Sequence, residues 1–196
     1  DVCSSDLPAW GHLTSGGTIA NFEALWAARN LKYLPLAARA AALSLDLDPV
    51  SLTLPSGSQV GLTEIADDWM LLNLDAGEAL ALRERLIAAY CAKNPEIAQP
   101  VAMNVIDTRL AAESPSGKGL HRFFAELGDR HAAGRVFIPA TCHYSIQKVV
   151  EALGLGRQQL ELVPVDGHFR MDTEALRQRL ETCCAERIPV IAVVSV

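Results

Sequence analysis

The sequence predicts an α/β fold in which a mainly parallel sheet is flanked by helices and preceded by a helical insertion. Three short runs rich in β-branched residues, RVFIP, LELVPV and IPVIAVVSV, alternate with two helical segments in the last third of the chain. Parallel strands need crossover helices, so this order is typical of a parallel sheet with right-handed connections. From Gly61 to about Ala112 the apolar spacing is instead helical throughout. With 196 residues, 50% of them hydrophobic, the chain can bury a domain-sized core and is not disordered.

Composition excludes several classes of protein. The net charge is −6, with 17 basic and 23 acidic residues, which does not fit a generally basic nucleic-acid-binding protein. No apolar run approaches the ~18–20 residues of a membrane span. The five cysteines show neither a CxxC pair nor a Cys/His ligand spacing, so neither a disulfide framework nor a metal site is indicated. We expect a cytoplasmic protein that binds neither nucleic acid nor membrane.

The first elements are a small-residue loop, TSGGT (14–18), and a helix, IANFEALWAARNLKYL (19–34). One face of this helix is smooth enough to pack closely on a sheet. That face consists of Ala20, Ala24, Ala27, Ala28 and Leu31. Pro35 is expected to kink or end the helix, and an Ala-rich helical stretch follows to about Leu45.

The middle of the chain begins with a stretch, 51–58, that we expect to be a loop. Asp75-Ala-Gly-Glu78 predicts a capping box at the start of a helix that extends to about Ala92. The sequence SPSGKG (114–119) is expected to form a flexible break, and 120–127 a short amphipathic helix.

The last third of the chain should form the parallel sheet. We expect its strands at 135–139, 160–165 and 188–196. Tyr144–Leu153 should form the first connecting helix, which Gly154-Leu-Gly156 stops. Asp166-Gly167 should turn the chain, and Asp172 should cap a second helix from about Thr173 to Glu186.

Both ends of the chain have unusual sequences. The last residues, IPVIAVVSV, are typical of the buried middle of a sheet, and the chain begins without Met. The first seven residues, DVCSSDL, are the translation of the tail of a widely used sequencing adapter. We therefore expect residues 1–7 to be non-native and residues 8–196 to be an incomplete domain. The alternative for residues 1–7 is a genuine polar N-terminal arm.

The TSGGT loop has the features of a phosphate-binding turn. Glycines let the backbone approach an anion, Ser15 and Thr18 offer hydroxyl groups, and a helix N-terminus supplies free N–H groups. The alternative is a tight turn without a ligand. The loop is neither a Walker loop nor a dinucleotide fingerprint, because no GK[ST] or GxGxxG follows.

His143 follows the first predicted strand at its carboxyl end, where open parallel sheets bind ligands. The alternative is a loop residue or a helix cap. Cys142 beside it could be a nucleophile, but no partner acid is evident, so a small buried residue is the simpler interpretation. Cys183 and Cys184 are interpreted as structural. The other histidines, including His121, His131 and His168, show no ligand spacing.

Three motifs in order carry a family resemblance: GHLTSGGTIANFEALWAAR, CHYSIQKVVEALGLG and PVDGHFRMDTEAL. The sequence resembles the pyridoxal-phosphate-dependent group II amino-acid decarboxylases over 10–39 and 135–196. The helical insertion, about 46–119, is longer than in the shorter members. In this it is similar to the larger bacterial branch that includes tyrosine decarboxylases.

The resemblance implies the large domain of a fold-type-I enzyme, homodimeric, that binds pyridoxal 5'-phosphate. Such an enzyme removes the α-carboxylate of an L-amino acid, here an aromatic one such as tyrosine or an acidic one such as glutamate. By position, Gly17 and Thr18 would hold the cofactor phosphate, and Ser15 and Gly16 would shape the loop. His143 would lie against the cofactor ring as a catalytic residue.

The resemblance also implies what this stretch lacks. The family's cofactor lysine, the aspartate that pairs with the pyridine nitrogen and a Gly-Thr-Thr turn would follow Val196. None of the four lysines, Lys32, Lys93, Lys118 and Lys148, matches the cofactor lysine. The chain alone is therefore expected to be inactive. Two alternatives remain open: an aminotransferase or lyase of the same fold, and a non-catalytic phosphate-ligand binder or pseudoenzyme.

Overall fold

A computed structural model describes residues 13–127 and 133–194. The expectation that residues 1–7 are non-native concerns residues outside these ranges. The helices are α1 (Gly17–Leu45), α2 (Asp68–Leu72), α3 (Ala76–Lys93), α4 (Gln99–Glu113), α5 (Pro115–Lys118), α6 (Leu120–Leu127), α7 (Ser145–Ala152) and α8 (Thr173–Ala185). The strands are β1 (Ser51–Thr53), β2 (Gln59–Gly61), β3 (Arg135–Pro139), β4 (Leu160–Val163) and β5 (Val190–Val193). Short 3₁₀ turns cover Leu62–Glu64 and Arg157–Gln159.

The described part of the sheet is parallel, with strand order β4-β3-β5. Helix α7 connects β3 to β4, and α8 connects β4 to β5. The predicted parallel sheet flanked by helices is therefore confirmed, although two strands are shorter than expected. Strand β4 ends before Pro164, and β5 begins after Pro189, because proline has no N–H group to donate to a sheet.

Helix α1 continues through Pro35 and ends at Leu45, so the proline does not end the helix. A proline inside a helix costs about 3 kcal/mol because it removes a hydrogen bond and crowds the preceding turn. Here Pro35 is buried between Tyr33 and Leu36, which are also buried. Burial of these apolar groups offsets the local cost, at about 25 cal/mol per Å² of apolar surface.

The expected smooth face of α1 is wrong in its first half. Ala20, Ala24 and Ala27 are exposed, whereas Ala28 and Leu31 line a cavity next to β5. The buried side of α1 instead carries its larger side chains, which bury more apolar area than alanine does. These include Leu25, Arg29, Tyr33 and Leu36.

Two segments expected to be irregular are partly or fully ordered. The expected loop at 51–58 is confirmed for residues 54–58 only. Residues 51–53 form β1, which pairs with β2 in an antiparallel hairpin in which Ser51 lies opposite Gly61. Leu52 and Leu54 are buried, which attaches the hairpin to the core. The SPSGKG segment (114–119) is not a flexible break: it forms α5, and the Ser114 hydroxyl accepts the Gly117 N–H at 3.1 Å.

The predicted capping box of α3 is half correct. Asp75 caps the helix, because its carboxylate accepts the Gly77 N–H at 2.8 Å. Glu78 does not complete the box. Its carboxylate accepts instead from the Thr53 N–H at 2.8 Å and from Arg85 at 2.7 and 2.9 Å. Glu78 therefore joins the hairpin to α3.

One continuous core links the insertion to the sheet. It contains Leu86 and Ile106 from the insertion together with Val136 and Ile138 from β3. The ring of Tyr33 is fully buried in this core and makes edge-on contacts, with centroids 5.5 Å apart, to both Phe123 and Phe124 of α6. Within residues 13–127 and 133–194, no helix is both long enough and apolar enough to span a membrane.

Candidate active site

The TSGGT loop lies at the surface and leads directly into α1. Gly16, which precedes the helix, has φ +152°, a conformation that favours glycine. Its carbonyl oxygen accepts the N–H groups three and four residues further on, at 3.0 and 3.1 Å. Among the described residues, nothing accepts a hydrogen bond from the backbone N–H groups of Gly17 and Thr18. Both donors are available to a ligand.

Among residues 13–127 and 133–194, nothing fills the space at these two glycines. A Cβ atom built on Gly16 or Gly17 would meet no atom of these residues within 4 Å. The hydroxyl-bearing side chains of Ser15 and Thr18 are exposed at the same helix end. Free N–H groups, hydroxyl groups and the positive end of a 29-residue helix are a donor set that fits a phosphate group.

His143 lies between the carboxyl end of β3 and the first turn of α7, as the sequence predicts. Its side chain is exposed. The Nδ1 atom lies 3.2 Å from the backbone nitrogen of Ser145, which donates to it, and 2.8 Å from the Ser145 hydroxyl oxygen. His143 therefore acts as a local cap of α7 through one ring nitrogen, while Nε2 makes no hydrogen bond to any described residue.

Asn21 and Ser145 join the two predicted parts of the site. The Asn21 side-chain amide donates to the Ser145 hydroxyl oxygen at 3.0 Å. Asn21 lies in α1 just after the TSGGT loop, and Ser145 is the first residue of α7. The beginnings of α1 and α7 are thus brought together, and His143 is linked to α1 through two polar side chains. Neither residue belongs to the site predicted from the sequence.

An aromatic ring and a cation border His143. The Tyr144 ring centroid lies 4.3 Å from that of His143, with 40° between the ring planes, and 61% of Tyr144 is exposed. The Lys148 ammonium lies 4.8 Å from the Tyr144 centroid, as a cation over a π face. The surface beside His143 therefore presents an aromatic ring and a positive charge.

The other chemically reactive residues selected from the sequence do not join this site. Cys142 is partly buried against the core, and burial raises the pKa of its thiol, which does not favour a thiolate nucleophile. Cys183 is buried under the sheet, as its structural interpretation requires, whereas Cys184 is exposed. In the part of the chain that the structure describes, no cluster of His, Cys, Asp or Glu could hold a metal ion. His131 lies outside that part.

The chain is similar to known proteins over almost its whole length. No family model matches it. Over 187 residues, or 95% of its length, it is 32% identical to an L-tyrosine decarboxylase of Levilactobacillus brevis. Over the same length it is 33% and 30% identical to L-tyrosine decarboxylases of Enterococcus faecalis and Enterococcus faecium.

The chain spans 23–24% of the length of these curated relatives. Because the aligned part is 95% of the chain, it includes the helical insertion as well as the three motifs. The resemblance to the decarboxylase family, and to its tyrosine-decarboxylase branch, is therefore confirmed.

Proposed function

We propose that this chain is a segment of a pyridoxal-phosphate-dependent enzyme that removes the α-carboxylate of an L-amino acid. The proposal starts from the similarity to L-tyrosine decarboxylases over 95% of the chain. The observation that carries it is the junction of α1 and α7, where the Asn21–Ser145 hydrogen bond links the beginning of the helix after the TSGGT loop to an exposed histidine. A phosphorylated, planar cofactor has the two features that these groups would recognise.

Gly17 and Thr18 would hold the cofactor phosphate. Their backbone N–H groups are free among the described residues, and the Thr18 hydroxyl lies at the same helix end. An anion gains about 0.3–2 kcal/mol from a helix N-terminus, depending on its exposure. Ser15 would add a hydroxyl donor, and Gly16 would give the loop its course.

The face of the His143 ring would lie against the cofactor ring. Bound pyridoxal phosphate supplies an electron sink for the electron pair that departing carbon dioxide leaves behind. The role of His143 would be to fix the tilt of that ring, so that the scissile bond stands perpendicular to it. Such orientation is expressed in turnover more than in ground-state binding.

The substrate, assembly and location of the complete protein follow from the same proposal. The named relatives act on L-tyrosine, so we put tyrosine first and an acidic amino acid such as glutamate second. The fold would be fold type I, and the complete protein a cytoplasmic homodimer. The exposed loop, His143 and Tyr144 would then face the remainder of the active site.

Cofactor affinity of the complete protein tests the phosphate site. Thr18→Ala should weaken pyridoxal phosphate binding about tenfold, because one hydrogen bond to a charged group contributes about 1.5 kcal/mol. Thr108→Ala is the matched control, since Thr108 is an exposed threonine on α4. Equal affinity of the two variants would contradict the assignment.

Product analysis tests the reaction itself. The complete protein with L-tyrosine should release carbon dioxide and form the corresponding amine. Formation of a keto acid without carbon dioxide would instead support an aminotransferase of the same fold. Cofactor binding without any product would support a non-catalytic binder.

A further inference from the structure

We propose that Asn21 and Ser145 are positioning residues that hold His143 in the tautomer protonated at Nε2, with its ring fixed at the cofactor face. This inference rests on the proposed function for its catalytic consequence, but the tautomer itself follows from hydrogen bonds within the chain.

The backbone fixes which ring nitrogen of His143 is the acceptor. The Ser145 N–H lies 3.2 Å from Nδ1, and a backbone N–H can only donate. Nδ1 must therefore carry a lone pair, and the proton of the neutral imidazole lies on Nε2. This nitrogen is the one left to meet a ligand.

The Ser145 hydroxyl joins Asn21 to this nitrogen. The Asn21 amide nitrogen lies 3.0 Å from the Ser145 hydroxyl oxygen and can only donate to it. Because Nδ1 carries a lone pair, the Ser145 hydroxyl in turn donates its proton to Nδ1, at 2.8 Å. The hydrogen bonds run in one direction, from Asn21 through Ser145 to His143.

Burial makes this chain of hydrogen bonds a rigid support. Ser145 is 0% exposed, whereas His143 is exposed, so a buried hydroxyl orients a surface ring. Asn21 comes from α1 and the other two residues from the α7 end, so the support also fixes the ring relative to the phosphate-binding turn. A ring held this way presents Nε2–H and one face to a ligand without reorganisation, which favours turnover.

Nitrogen-15 NMR of the histidine side chains tests the tautomer without cofactor. We expect the His143 signals, identified by their loss in His143→Gln, to show Nε2–H at about pH 8.5, where histidine side chains are neutral. Asn21→Asp replaces the donor with a carboxylate that accepts the Ser145 hydroxyl proton. The ratio of Nε2–H to Nδ1–H tautomer should then fall about fivefold, the effect of one neutral hydrogen bond.

Asn104→Asp is the matched control, because Asn104 is exposed on α4 and the change adds the same charge. It should leave the His143 signals unchanged. Ser145→Ala should reproduce the effect of Asn21→Asp. If it does not fold, Asn21→Asp alone decides, since Asn21 is only half-buried. A ratio unchanged in Asn21→Asp would overturn the proposal.

Kinetics of the complete protein separate positioning from binding. Asn21→Asp should lower kcat at least tenfold and leave KM and cofactor affinity within about twofold. A merely structural role would not lower kcat alone while KM and cofactor affinity stay the same. A changed tautomer with unchanged kcat would refute the positioning role. Should Thr18→Ala leave cofactor affinity unchanged while the tautomer still responds to Asn21→Asp, the proposed function fails and the hydrogen-bond support stands.

Discussion

The capping contact of His143 uses one ring nitrogen and leaves Nε2 for the cofactor contact that we propose. Nδ1 accepts a backbone N–H at the start of α7, which is what a capping side chain does. The ring faces and Nε2 take no part in this contact. A helix cap and a cofactor contact are therefore compatible in one residue. A substitution of His143 shows which role dominates by whether it lowers turnover or stability more.

Replacement of His143 by alanine should lower turnover much more than stability. In the complete protein we expect kcat to fall at least 100-fold, within the range of lost acid–base and orienting groups, and stability to fall by about 1 kcal/mol. Turnover and thermal unfolding of the same variant measure the two effects. His168→Ala, at an exposed turn, is the control and should change neither. Normal turnover with lowered stability would leave only the cap.

The hydroxyl group of Tyr33 should contribute to the stability of the core through a buried hydrogen bond. It is 0% exposed, and its hydroxyl oxygen accepts the Gly134 N–H at 3.1 Å. Tyr33→Phe keeps the ring contacts but leaves that buried N–H without a partner, so it should lower the free energy of unfolding by about 1–3 kcal/mol. Chemical denaturation measures this loss. Tyr90→Phe, at a partly buried position, should cost less.

Titration gives an independent check on Tyr33. Burial raises the pKa of its phenol to about 12, against the opposing effects of the Gly134 N–H and Arg29. A folded chain should therefore keep one tyrosine un-ionised, by absorbance, until about pH 12. Loss of that late-titrating group in Tyr33→Phe would identify it.

Local motifs identify His143 and the glycine turn in the sequence. They do not identify the hydrogen bond between Asn21 and Ser145 that connects α1 to α7. Asn21 and Ser145 are 124 residues apart, and both are common residue types at helix ends. Nothing in their own neighbourhoods indicates that one donates to the other. Only the packing of α1 against α7 brings them together.

At the scale of elements, the attachment of the β1–β2 hairpin to α3 should depend on pH. Glu78 accepts from Arg85 and from the Thr53 N–H, and these bonds lower the pKa of its carboxyl group to about 2. A depressed carboxyl pKa stabilises the fold above the unfolded value of about 4.5, and the contribution is lost as pH falls toward 2. The lost stability should occur between about pH 5 and pH 2.

Glu78→Gln should remove that pH dependence. At pH 7 we expect it to cost about 1 kcal/mol, less than the full pKa shift implies, because 34% of the Arg85 side chain is exposed and water screens the pair. Urea denaturation of both proteins at pH 7 and pH 3 measures the difference. Glu96→Gln, at an exposed position, is the control. Equal acid sensitivity of wild type and Glu78→Gln would contradict the assignment.

The elements predicted correctly are those whose signals are local. Asp172 caps α8 through the N–H groups of Glu174 and Ala175, both at 3.0 Å, and the sequence alone indicates this. Leu120–Leu127 and Arg135–Pro139 also have the predicted bounds. The hairpin was not predicted. The second half of the capping box was predicted wrongly, because the Glu78 carboxylate accepts from Arg85 of the same helix and from the Thr53 N–H in the hairpin, 25 residues away.

At the scale of the whole molecule, ion pairs and a common hydrophobic core join the insertion to the rest of the chain. Arg187, at the end of α8, forms an ion pair with Asp67 and lies 5.8 Å from the Trp69 ring centroid. Arg39 of α1 forms an ion pair with Asp68 and donates to the Ile65 carbonyl at 2.7 Å. Because the core is also continuous across this boundary, the insertion and the sheet should unfold together.

Three of the four lysines have charged or aromatic partners. Lys93 lies 2.6 Å from Asp46, and Lys118 lies 2.6 Å from Glu113. Lys148 lies over the Tyr144 ring. Lys32 lines a cavity beside β5, and burial lowers the pKa of its amine. Within the described residues, none of them forms a hydrogen bond or an ion pair with the TSGGT loop or with His143.

The isolated chain should therefore bind pyridoxal phosphate weakly and release no carbon dioxide from L-tyrosine above the rate of free cofactor. Enzymatic acceleration needs about 8 kcal/mol or more of barrier lowering. Anion binding at a helix end contributes up to about 2 kcal/mol and a ring contact about 0.5–1.5 kcal/mol. Both also favour the ground state, so even their sum cannot supply the barrier change. Carbon dioxide release by the purified chain, abolished by His143→Ala, would show that this stretch holds a complete catalytic site.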